Sequence, residues 1–117
     1  MKILAFCLAA AALGCATAQP LLISDHQRKS FEDVVRDAEA AGATEGPPQA
    51  TARLADARSE FEYAQHLPLY PDRARLLVAK AQADAELALQ LAQTEARAHL
   101  VARGAARHDK VAGAETP

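Results

Sequence analysis

The sequence predicts an all-α protein: an antiparallel helical hairpin with a shorter third helix, following a cleaved signal peptide. Three observations predict it. The stretch from Pro71 to Arg103 has no Gly and places its only Pro first, with Ala, Leu, Gln, Glu, Lys and Arg filling most of the rest; these are the best helix formers. Within it Ala74, Val78, Ala81, Ala85, Ala88, Ala92 and Ala96 recur at spacings of 4, 3, 4, 3, 4 and 4, the seam of a helix packed lengthwise on another helix. Upstream, Ala50, Leu54, Ala57, Phe61 and Ala64 keep the same beat, and a short LPLY connection at 67–70 joins the two stretches.

The chain opens with a targeting segment. Met1-Lys2 is a minimal positive region, and Ile3–Leu13 is an apolar run of 11 residues, the length of a secretory signal and too short to span a bilayer. Ala12-Leu13-Gly14-Cys15 resembles a bacterial lipobox, with Ala12 where Leu is usual, so Cys15 is the expected lipidation site. Ala16-Thr17-Ala18 before Gln19 is the competing, ordinary cleavage site. Under either reading Cys7 leaves with the leader, and Cys15 is lipid-blocked or discarded. The mature protein then holds neither a free thiol nor a disulfide, although export permits one.

Residues 15–29 read as a lipidated N-terminus and tether. Ser24 with Gln27 fits a capping box, but Ile23 meets only Arg28 where a staple wants an apolar partner. The first helix is therefore expected over Ser30–Ala41, with Phe31, Val34, Val35, Ala38 and Ala41 on one side and Gly42 able to end it in left-handed geometry. Ala43–Pro47 reads as a turn. Pro48 opens the second helix, where its missing N–H costs nothing, and His66-Leu67-Pro68 closes it, because the residue before a Pro is pushed out of helical dihedrals. The third helix begins at Pro71 with Asp72 on the positive end of its dipole. At 1.5 Å per residue it is about 50 Å long against about 28 Å for the second, so its distal turns outrun their partner. Residues 30–103 form the three-helix Ala-rich domain, and 104–117, without apolar periodicity, form a flexible tail.

Composition narrows the function. The chain has 117 residues, half of them hydrophobic, but only 4% are aromatic. A buried Ala methyl contributes only about 0.8 kcal/mol, so the core is thin. The net charge of −2 mixes both signs and carries no nucleic-acid footprint. His26, His66, His99 and His108 show no i, i+3 or i+4 pairing, so metal ligation is not expected; no cofactor is. Asp84 and Glu95 border the Ala seam, each with a same-face neighbour, Lys80 and His99, which marks a solvated flank. Tyr63 and Tyr70 bracket the hairpin turn and read as local packing. The distal cations Arg103, Arg107, His108 and Lys110, diluted by Asp109 and Glu115, read as a solvated tail rather than a contact with anionic lipid.

A second apolar row runs along the long helix: Leu76, Ala83, Leu87, Leu91, Ala98 and Val101, about 150° around the wheel from the Ala seam. Two separated rows suggest a helix sandwiched between partners on nearly opposite sides, with the short first helix covering only part of the second. Leu76, Leu87, Leu91 and Val101 are therefore the candidate interaction surface, for a second copy or another envelope protein. The alternative is that the first helix and the residues before it cover the whole row.

The runs AEAAGA (38–43), ARLADARSEFEYA (52–64) and RARLLVAKAQADAELALQLA (73–92), with KAQADAELA (80–88) the most specific, resemble an Ala-rich bacterial envelope lipoprotein module, domain-of-unknown-function family 4398. The resemblance covers roughly residues 31–102. It implies a lipoprotein signal and often a following OmpA-like peptidoglycan-binding domain, of which these 117 residues hold no counterpart. It implies no reaction. By resemblance to enterobacterial sorting, Ala16 after the Cys favours the outer membrane, facing the periplasm. The expectation is a non-enzymatic, membrane-anchored structural or adaptor module; the alternative is a soluble periplasmic binding or chaperone-like protein cleaved after Ala18.

Overall fold

The computed structural model describes residues 23–114. It is all-α: α1 (Asp25–Ala40), α2 (Pro48–Gln65) and α3 (Pro71–Ala114), with no strand among the described residues. Cys15 and the leader lie outside them.

α1 begins five residues before the expected Ser30. The Gln27 N–H donates to Ser24 Oγ at 3.1 Å and the Ser24 N–H donates to Gln27 Oε1 at 3.0 Å, a complete capping box. The staple absent from the local sequence is supplied by the tertiary fold: Ile23 is buried in a cluster with Phe31, Phe61, Ala64 and Val78. Residues 25–29 are thus helix, not tether. The helix ends in a Schellman motif, with the Gly42 N–H on Glu39 O at 2.9 Å and the Ala43 N–H on Ala38 O at 2.9 Å. Gly42 takes φ 94°, which a side chain resists, and the accompanying Ala38 and Ala43 are both fully buried.

The turn into α2 is tight. A Cβ on Gly46 would stand 2.5 Å from Gly42 O, so the backbones approach as only glycine allows. Thr51 Oγ1 donates to Ala43 O at 2.9 Å, tying the turn to the first turn of α2. At the other end His66 and Leu67 donate their N–H groups to Tyr63 O and Ala64 O, and Leu67 tucks inward while Leu69 is exposed.

α2 packs along α3 through the expected seams. Ala50, Leu54, Ala57, Phe61 and Ala64 are buried, as are Ala74, Val78, Ala81, Ala85, Ala88 and Ala92. Ala96 breaks the expectation and is exposed, because α2 has run out: its first turn, at Ala50, shares a cluster with Ala88 and Ala92. α1 runs parallel to α3. Its start clusters with Phe61 and Val78 near the hairpin tip, and its end, Ala38, with Leu54, Ala88 and Ala92 at the open end. An ion pair from Arg58 to Glu39 adds a tie between α1 and α2.

Two further expectations are corrected. α1 is not opposite α2 across a sandwiched α3. His26, Gln27 and Ser30 border Arg75, Val78, Gln82 and Glu86, so α1 lies beside the Ala seam and the three helices form an ordinary bundle. The tail expected over 104–117 is also corrected over 104–114, since α3 continues through Gly104 to Ala114, 44 residues or about 66 Å; residues 115–117 lie outside the described ones. Gly104 costs roughly 1 kcal/mol relative to Ala, but Ala102, Arg103, Ala105, Ala106 and Arg107 around it are strong helix formers. Lost apolar periodicity marked the end of packing, not the end of the helix.

Candidate functional site

The candidate row on α3 divides into two kinds of residue. Leu76 and Val101 are 71% and 73% exposed and Leu87 37% exposed, while Leu91 is half-buried against the cluster of Ala38, Leu54, Ala88 and Ala92. Leu76 and Val101 stay open to solvent, so the alternative of full cover by α1 does not hold. Beyond Ala92, every residue from 93 to 114 is exposed. The distal half of α3 is an arm of about 33 Å that neither α1 nor α2 reaches.

The bundle also contains a charged clasp that contradicts the solvated-flank reading of Asp84. Asp84 is 7% exposed. It accepts from Lys80 Nζ at 2.9 Å and from the Arg53 guanidinium, on α2, at 3.3 Å. Lys80 also pairs with Glu60 of α2, whose Oε2 is buried without a hydrogen-bond partner. The Lys80 ammonium, and more weakly the Arg53 guanidinium, hold the Asp84 carboxyl below the usual carboxylate range against the opposing effect of burial. Glu60 and Asp84 together raise Lys80 above the usual lysine value. The cluster ties α2 to α3 by charge-assisted hydrogen bonds between Arg53 and Glu60 on one helix and Lys80 and Asp84 on the other. The i, i+4 spacing shows Lys80 as a neighbour, whereas Arg53 lies 31 residues away in sequence. Folding the hairpin about Pro68–Leu69 sets Asp84 opposite position 53, so the signal was there.

The remaining polar candidates stay apart. His99 pairs with Glu95 at 3.1 Å, as their spacing implies, on the exposed arm. His66 Nδ1 lies 2.8 Å from Glu62 O at the end of α2. Among the described residues no group of three or more His, Cys, Asp or Glu is placed to hold a metal ion. Tyr63 and Tyr70, expected to pack locally, are 49% and 60% exposed. Tyr63 falls on the face of α2 opposite its seam, which leaves its ring in solvent. No helix among the described residues is long and apolar enough to cross a membrane.

These features define a small Ala-seamed helical bundle with a projecting helical arm. Compared with family models, curated proteins and solved structures, the chain finds no match.

Proposed function

We propose that this chain is a non-enzymatic envelope lipoprotein, a structural or adaptor module held to a membrane through Cys15 and presenting helical surface in the periplasm, most simply from the outer membrane. The observation that carries the reading is the 11-residue apolar run followed directly by Gly14-Cys15. Seven residues separate Cys15 from Ile23, a reach of at most about 29 Å. Ile23 belongs to the hairpin-tip end of the bundle, so an anchor at Cys15 keeps that end near the bilayer and leaves the opposite end, with the arm, free to meet partners. The outward row of Leu76, Leu87 and Val101 is the surface for a second copy or another envelope protein, with Leu91 its half-buried edge. The resemblance to the Ala-rich envelope lipoprotein module belongs to the same proposal.

Radiolabelled palmitate is expected to enter the wild-type chain, which partitions into detergent, and not the Cys15→Ser variant. A Cys15→Ser protein that stays processed and membrane-bound overturns the reading. A native N-terminus at Gln19 supports the second reading, a soluble periplasmic protein cut after Ala18, which the Ala16-Thr17-Ala18 motif favours.

A further inference from the structure

We infer that the arm of α3, residues 93–114, is a docking element for an anionic phospholipid surface. The arm is wholly exposed and contains Gly104 and Gly113. A lone helix of this length with two glycines is marginal in water and gains from a surface that covers one of its faces.

The helix sorts its charges. At about 100° per residue, Arg97, Arg103, Arg107 and Lys110 fall within a sector of about 140°, whereas Glu95 and Asp109 lie on the opposite face. Leu100 and Val111 lie inside the basic sector, and each is about two-thirds exposed. Arg107, His108 and Val111 also border a shallow depression over Gly104. Apolar side chains flanked by long cations suit an interface whose hydrocarbon accepts the Leu and Val while its phosphates accept the guanidinium and ammonium groups. An acidic polypeptide or a nucleic acid satisfies the cations but leaves Leu100 and Val111 in water. A second arm meeting this face sets like charges against each other. This inference is independent of whether Cys15 carries lipid.

The chain contains no Trp, so a single Trp reports on one position of the arm. Full-length Leu100→Trp and Val111→Trp are mixed with vesicles of equal phosphatidylglycerol and phosphatidylcholine, and separately with pure phosphatidylcholine. The second vesicle controls for charge-independent insertion of the apolar leader. Both reporters are expected to shift blue and to be quenched by brominated lipid on the anionic vesicles only. Ala102→Trp, on the acidic side of the arm, stays at its solvent value. At about 5-fold per cation, adding Arg103→Glu and Arg107→Glu weakens the anionic-vesicle response at least ~25-fold, with helicity by circular dichroism unchanged. An equal response to both vesicles, no response, or the same shift at Ala102→Trp overturns the inference. So does a shift that follows protein concentration without vesicles, or one that polyglutamate produces as well as lipid does.

Discussion

The Phe31 ring of α1 lies flat on the Phe61 ring of α2, with centroids 4.1 Å apart and planes 3° from parallel. In a core made mostly of Ala methyls, these two rings carry an outsized share of the buried apolar area and join α1 to the hairpin. Phe61→Ala is expected to cost about 3 kcal/mol in urea unfolding, the low end for such truncations because a thin core can partly collapse. Phe31→Ala should cost a similar amount. The double variant should fall short of additivity by about 1 kcal/mol; strict additivity would show that the stack itself contributes nothing.

Ala85 and Ala96 test the seam from both sides. Ala85 is fully buried where α2 and α3 meet, so Ala85→Leu overpacks a close contact and should cost about 1–3 kcal/mol. Ala96 continues the same wheel position past the end of α2 and is exposed. Ala96→Leu should therefore shift stability by less than about 0.5 kcal/mol. Equal melting temperatures for the two variants would place the end of the hairpin contact elsewhere.

The clasp gives stability a defined pH dependence. Asp84 has a lowered pKa in the folded chain, so its contribution is in place above the unfolded value of about 3.9 and is lost as pH falls through the folded value. Lys80 has a raised pKa, so its contribution is in place below about 10.4 and is lost as pH rises through the folded value. Thermal melts from pH 7 down to 2 should show a steeper acid limb for wild type than for Asp84→Asn. Asp84→Ala should cost about 1–2 kcal/mol at neutral pH, below the figure for a fully buried pair because Lys80 and Arg53 remain half in water.

The seams were legible because a 3.6-residue period states which residues face a partner, and Ala50 to Ala64 and Ala74 to Ala92 all obey it. Periodicity does not state where the partner ends, so Ala96 was included in a contact that α2 never reaches. It also says little about a helix without a partner, and the arm beyond Arg103 was therefore read as a tail although its propensities suffice. Asp84 reads as solvated in the sequence because Lys80 satisfies it locally, while Arg53 becomes its neighbour only once the two helices are in register. The start of α1 is hidden in the sequence because position 28 holds no apolar partner, and Ile23 finds its contacts on the other helices instead.

The row along α3 makes the last test, because its members differ in surroundings. Leu76 is mostly exposed and Leu87 about one-third exposed, so carboxylates at both can reach water, and Leu76→Glu with Leu87→Glu should leave the chain folded, with a melting temperature lowered by about 4–8 °C for roughly 1 kcal/mol of lost cover at Leu87. Leu91 is half-buried against the cluster that holds Ala38, Leu54, Ala88 and Ala92. Leu91→Glu places a carboxylate beside apolar neighbours and removes part of their cover, which should cost about 2 kcal/mol. The outward pair reports on partners and Leu91 on the fold. If the row binds a second copy, sedimentation velocity should show the double variant as a folded monomer under conditions in which wild type associates. If it binds another envelope protein, wild type and variant sediment alike, and crosslinking in whole cells loses a band with the double variant. A double variant that unfolds would show that Leu76 and Leu87 belong to the core. One that keeps its fold, its sedimentation and every crosslink would remove the row as an interface.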